Sequence, residues 1–301
     1  RWPMSSRLRY RSEQLASTPR WSRWWPLVGH EFGMLFRSKW GIALFFLCLF
    51  PAVGRLVMLL ILFGVVNFGP NLRQRLQTRG NQGPMAQLDP ANVEFYFELV
   101  LSVMPGMVFV LLLSAFVTAR AVARDRLSNA FELYWTRGVT PLGYLVAKWL
   151  GSTFAIGLIT VAAPTALYVA AVFLAEDWSF LVDSFGVVVP GLFGMALATG
   201  LWTALCVGIS ACSSSPNGAT IGWSMLLVGS SSLGFLFAQV LREADLQQVL
   251  SVWEAAGVLA RAVAGADTDG SVLGAMALYA VLLLVLWVPG WRRLRDGGGL
   301  A

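Results

Sequence analysis

The chain has 301 residues, of which 57% are hydrophobic and only 13% charged, and its mean hydropathy is +0.67. Soluble domains carry roughly a quarter charged residues, so this composition excludes an ordinary soluble enzyme and implies an all-α integral membrane protein. The net charge of +6 does not point to nucleic acid, because the basic residues are sorted along the chain rather than gathered in one patch.

Residues Arg1 to Arg20 are polar, basic and poor in aliphatics, which predicts weak order. Residues 21–40, WSRWWPLVGHEFGMLFRSKW, set Trp21, Trp24, Trp25, Leu27, Phe32, Leu35, Phe36 and Trp40 on an apolar side and Arg23, Glu31, Arg37 and Lys39 on a polar one. That pattern suits an amphipathic helix lying in the membrane interface, either as an anchor for the first span or as part of a docking surface. No cleavable signal peptide is expected, since the first apolar run is long and follows a polar or amphipathic stretch.

Six apolar runs are long enough to cross a hydrocarbon core, which takes about 20 helical residues. They are Gly41 to Phe68, Leu99 to Ala119, Leu145 to Leu174, Phe185 to Ser210, Ala219 to Val240, and Val272 to Val288, the last ending at Pro289. They make residues 41–291 a six-helix transmembrane domain followed by a short tail, 292–301. Arg55 stands near the middle of the first run, where a charge costs about 2.5–3.5 kcal/mol on insertion scales. It is expected to face protein or water, either lining a solute path or pairing with a polar group on a neighbouring helix. Phe68 to Glu98 reads as an outer loop, with Glu94 and Glu98 one helical turn apart. Met104 and Met107 beside Pro105 and Gly106 read as packing rather than a soft-metal site. The fourth and fifth runs are rich in small residues, with Ala196 and Gly200, and Gly218 and Gly222, at the four-residue spacing that permits close helix approach. Pro216, Asn217 and Gly218 mark a tight turn. Leu241 to Ala266 has Leu246, Val249, Leu250, Trp253 and Val258 at helical spacing, and reads as one or two amphipathic helices on the outer rim.

Sixteen of the 22 Lys and Arg residues fall before the first run, between the second and third (counting Lys148 in the first turn of the third), or after the sixth; Arg73, Arg75, Arg79, Arg242 and Arg261 fall on the other side, and Arg55 near the middle of a run. The positive-inside rule therefore puts both termini and the loop after the second run of this multi-pass chain in the cytoplasm. The opposite side is acidic. Cys48 and Cys206 lie within runs and Cys212 at a cytoplasmic end, so no disulfide framework is implied.

Several chemistries lack their residues. Lys39 and Lys148 are the only lysines, and neither sits in a phosphate-cradling loop, so ATP is not expected to bind this chain through a P-loop. His30 is the only histidine, which leaves no basis for paired-histidine haem ligation, zinc-protease motifs or a Ser-His or Cys-His nucleophile. No catalytic residue, metal or cofactor is assigned to the chain.

The loop between the second and third runs is the most informative stretch. Within Ala123 to Gly151, Asn129 followed by Glu132 reads as a helix N-cap with its capping-box partner, so a short amphipathic helix is expected over about 129–137. Gly138 and Pro141 then stop it and a new apolar helix begins. The order of parts resembles the permease subunits of type-2 ATP-binding-cassette (ABC) transporters: an interfacial helix, six spans, a coupling helix between spans 2 and 3, a tight inner turn between 4 and 5, and outer helices over about 241–266. The closest local match is an acidic-basic pair, Asp125 and Arg126, a small-residue turn over Ser128 to Ala130, then Glu132 and Leu133, Thr136 and Arg137, and Lys148 opening the next helix. Gly138 stands where such permeases commonly have proline, with Pro141 displaced, and Thr140 to Tyr144 lacks the usual charges.

The resemblance implies that a separate ATPase, present in two copies that bind ATP and Mg, docks on the coupling helix through Asp125, Arg126, Asn129, Phe131, Glu132, Leu133 and Arg137. It also implies a bacterial inner-membrane location, pairing with a second permease copy or a paralogue, and contact with membrane lipids; the sorted charges leave no nucleic-acid partner expected. Two other roles stay open. The chain could relay ATPase work to a periplasmic protein, as in relatives from gliding-motility and nitrous-oxide-reductase maturation systems, or it could be a membrane scaffold without energy coupling.

Overall fold

The computed structural model describes residues 24–65, 89–101, 106–136, 138–175, 177–243, 245–265 and 272–297. Residues 1–23, the greater part of the expected outer loop, Met104 and Pro105, Arg137 and the final glycine-rich tail lie outside the described residues.

The described chain is all helix and turn. It opens with α1 (Trp25–Arg37) and α2 (Lys39–Leu62), then α3 (Val93–Leu101), α4 (Gly106–Val117), α5 (Ala121–Leu127) and α6 (Ala130–Thr136). There follow α7 (Pro141–Leu174), α8 (Ser179–Cys212), α9 (Pro216–Leu241), α10 (Asp245–Leu250), α11 (Val252–Val263) and α12 (Val272–Gly297). Five of these, α2, α7, α8, α9 and α12, are long and apolar enough to cross a membrane. The expected second span falls on the shorter α3 and α4, with residues 102–105 between them outside the described chain.

Start signals follow local chemistry. Ser38, Thr140 and Ser215 each accept a hydrogen bond from the backbone N–H three residues on, opening α2, α7 and α9, and Pro141 and Pro216 occupy first-turn positions where no N–H is needed. The last helix departs from expectation. It does not end at Pro289 but continues through it to Gly297, so Arg292, Arg293 and Arg295 of the short basic tail are helical. A proline is tolerated inside a membrane helix where neighbours satisfy the freed groups.

The centre of the bundle is α8, which packs against α5, α7, α9, α11 and α12. Small residues set the spacing: a Cβ on Gly208 would sit 2.8 Å from Leu286 Cβ, and one on Gly290 2.8 Å from Ala211 Cβ, so α8 and α12 meet nearly backbone to backbone. Threonines join α8 to α7, with Thr153 and Thr203 hydroxyls 2.7 Å apart and Thr160 and Thr199 hydroxyls 2.6 Å apart. Around Thr160 the helix α7 widens into a π-helical turn, Leu158–Ala162. Pro164 explains it, since proline has no N–H for the Thr160 carbonyl and its ring crowds that oxygen.

The segment expected as an amphipathic rim forms two helices, of which α10 has no buried residue and α11 lies inside. The helix α11 is buried along Val252, Trp253 and Ala255 to Ala260, wedged against α8 and α12, and its Trp253 ring stacks on Trp202 with centroids 4.1 Å apart. Its cation Arg261 pairs with Glu94 of α3 at 2.9 Å. Alternating helical spacing is the same for a surface helix and for one lodged between neighbours, and here Gly194 decides the outcome by letting α11 approach the backbone of α8.

Candidate functional site

The elements α5, α6 and the start of α7 form one end of the bundle, together with α1 and the basic end of α12. The first free amides of α5, from Val122 and Ala123, both donate to Ser210 Oγ near the end of α8 at 3.0 and 3.1 Å. Arg126 donates to the carbonyls of Ala211 and Ser213, and Arg293 of α12 donates to that of Cys212. Two guanidinium groups therefore cap the C-terminal carbonyls of the long helix α8, where the helix dipole is negative. Burial lowers the Arg126 pKa from its ordinary value, and Arg293 nearby lowers it further.

Asn129 has a different job from the one expected. Its φ is +51°, and its amide donates to the Arg126 carbonyl at 3.2 Å. It is the left-handed residue that closes α5 rather than an extended N-cap for α6, a conformation asparagine tolerates because its short polar side chain bonds locally. The capping-box reading with Glu132 is thereby corrected. The short helix itself forms over Ala130–Thr136, and Gly138, with φ +72°, closes it.

The helix α6 is two-faced. Phe131, Tyr134 and Trp135 all have their ring centroids 5.4–6.1 Å from that of Tyr144 in α7. Glu132, Leu133 and Thr136 are exposed, Leu133 at 52%. Beneath the aromatic layer is a buried ionic cluster. Lys148 Nζ lies 2.6 Å from Glu31 Oε2 of α1 and 2.8 Å from Asp125 Oδ2 of α5, and the Tyr144 hydroxyl donates to the same Asp125 oxygen at 2.9 Å. Lys148 and Glu31 are each 1% exposed and Asp125 is 7% exposed. Tyr144 and Lys148 share a face of α7 because they are four residues apart. Gly151, three residues further, has its missing Cβ position 2.7 Å from Glu31 Cβ and 2.8 Å from the Val28 carbonyl, and this close approach brings Glu31 within reach. Burial raises the pKa of the Tyr134 hydroxyl, at the edge of the cluster, and the Asp125 carboxylate adds to the rise.

The residues expected at one docking surface divide into two groups. Glu132 and Leu133 face outward, and Phe131 is half-buried under them. Asp125 and Arg126 face the bundle and hold it together, and Asn129 shapes the turn; Arg137 lies outside the described residues. Glu31, placed on the polar side of the interfacial helix by its charge alone, faces the protein, as do Leu27, Val28 and Leu35 of α1. Glu31 and Tyr144 are the members that sequence reasoning missed. One signal was available: Glu31 is the sole acid in an aromatic, basic helix, and Lys148 is a lone charge in an apolar run, so each needed a partner. Arg55, in α2, lies with its guanidinium carbon 4.9 Å from the centre of the Phe95 ring of α3 and so faces protein.

No protein-family model matches the chain, and no curated protein or solved structure matches it.

Proposed function

We propose that the chain is the membrane subunit of an ATP-driven transporter of the type-2 ABC kind, set in a bacterial inner membrane with both termini in the cytoplasm. It hydrolyses no ATP itself. A separate ATPase with ATP and Mg docks on α6, and a second permease, identical or related, completes the pathway. Five apolar helices and the sorted charges support the membrane setting.

The observation that carries the reading is the build of α6. None of its seven residues is buried, yet it rests on the Tyr144 ring, which is bonded to Asp125, which is paired with Lys148 and thereby with Glu31. A push on the outer face of α6 is transmitted through this node to α1, α5 and α7, and through Arg126 to α8. Buried side chains with discrete bonded arrangements are suited to switching as rigid bodies.

Affinity purification in mild detergent, followed by mass spectrometry with stoichiometry, tests it. The expected result is one P-loop ATPase per chain, with Leu133→Asp reducing the amount recovered at least tenfold, equivalent to about 1.4 kcal/mol of binding, at unchanged melting temperature. An outer-face protein in equal amount beside the ATPase converts the reading to a force-relaying subunit. Recovery of the chain with no ATPase overturns it in favour of a scaffold.

A further inference from the structure

A cavity of about 350 Å³ opens at the basic end, between the α1–α2 corner, the junction of α4 and α5, and the start of α9. Its walls are of two kinds. Arg120 and Arg124 supply two guanidinium groups, while Met34, Phe116 and Val117 supply an apolar lip. Arg120 is held in place by a hydrogen bond to Asn217 Oδ1 at 3.1 Å and by the Phe116 ring, whose centre is 5.1 Å from its guanidinium carbon. Arg124 is half-buried, and among the described residues its side chain has no ion pair or hydrogen bond. The acid next to it, Asp125, is turned away and already engaged by Lys148 and Tyr144. Ser38 and Pro216, which also line the cavity, belong to the first turns of α2 and α9, helices of 24 and 26 residues whose N-terminal ends are partly positive.

We propose that this cavity binds the phosphate headgroup of an anionic phospholipid, with the acyl chains leaving over Phe116 and Met34 into the bilayer. Guanidinium forks match phosphate oxygens in pairs, and basic pockets between membrane helices on the cytoplasmic side hold anionic headgroups. The volume stands near the lower bound of about 300 Å³ for small-molecule pockets, which admits a headgroup and not a whole lipid. The apolar lip selects an amphiphile over a free phosphate, which would leave Met34 and Phe116 unused. A lipid held here braces the α1–α2 corner against α5, the element that carries Asp125. The inference rests on the proposed membrane orientation and not on the ATPase, so a failure to recover an ATPase leaves it standing.

The test uses the full chain in detergent, with thermal unfolding followed after addition of phosphatidylglycerol, phosphatidylcholine or inorganic phosphate. Phosphatidylglycerol is expected to raise the melting temperature by about 3 °C or more over phosphatidylcholine, since a ligand of the folded state stabilises by mass action. Inorganic phosphate is expected to give no comparable shift. Arg124→Gln is expected to abolish the difference between the two lipids. Native mass spectrometry reads the same comparison without unfolding: one retained phosphatidylglycerol per chain in the wild type and none in Arg124→Gln. Equal shifts by the two lipids in the wild type, or an undiminished difference in Arg124→Gln, overturn the proposal. A full shift from inorganic phosphate alone overturns the lipid assignment and makes the cavity a site for a soluble phosphoryl group.

Discussion

Lys148 in α7 and Glu31 in α1 are 117 residues apart in sequence, yet their charged atoms meet at 2.6 Å with both side chains 1% exposed. The same ammonium also holds Asp125. A buried ion pair is not in itself a source of stability, but removing one partner leaves an uncompensated charge in a dry site. Lys148→Met, which leaves two carboxylates together, is therefore expected to destabilise the chain by about 3–5 kcal/mol. Glu31→Gln leaves Lys148 with Asp125 and is expected to cost clearly less. Melting temperatures of the two variants in detergent check the order; equal losses would mean that the cluster is not held by its charge balance.

Tyr144→Phe keeps the ring on which Phe131, Tyr134 and Trp135 pack and removes only the hydroxyl that donates to Asp125. A hydrogen bond to a charged group contributes about 1.5–3 kcal/mol. The variant is expected to lose stability in that range and, under the proposed function, to bind the ATPase normally in a reconstituted complex while ATP turnover drives less substrate movement. Normal coupling at reduced stability would make Tyr144 a structural residue alone.

Gly194→Ala places a methyl group against the carbonyl oxygen of Ala260, whereas a Cβ on Gly186 in the same helix meets nothing within 4 Å. Overpacking against backbone costs about 1–3 kcal/mol, while alanine in an open helical position gains up to about 1 kcal/mol over glycine. Gly194→Ala is expected to lower the melting temperature and Gly186→Ala to hold or raise it. Matching behaviour of the two would contradict the insertion of α11 against α8.

The threonine pair Thr160 and Thr199 is suited to a double-mutant cycle with valine. Each hydroxyl has a carbonyl of its own helix within reach of its one proton, Ile156 and Met195 respectively, so whichever hydroxyl donates across the pair turns to its own carbonyl when its partner is removed and is not stranded. The expected coupling is about 0.6 kcal/mol, the average for hydrogen bonds between membrane helices. A coupling near zero would show that packing at the π-helical turn, and not the hydroxyl pair, joins α7 to α8.

Much of this protein is legible in its sequence because the signals are local. Hydropathy over about 20 residues marks α2, α7, α8, α9 and α12 as membrane helices; Gly138 and Pro141 separate α6 from α7; and the division of arginines between loops predicts which end meets the cytoplasm. Partnership across the fold is not local. Asp125 and Arg126 carry charges that suggest a wet docking surface, but their environment depends on Lys148, Tyr144 and the end of α8. Asn129 and Glu132 match a capping box letter for letter, and the left-handed backbone at Asn129 shows that the preceding helix claims the asparagine first. The sequence by itself determined that the chain is a helical membrane protein with a short two-faced helix between two apolar runs. Only the tertiary structure decided that α11 lies inside, that Glu31 points inward, and that one ammonium ties α1, α5 and α7 together. The reason is that a buried charge is tolerated only where distant segments bring its partners, and their approach is set by Gly151 and the packing of whole helices.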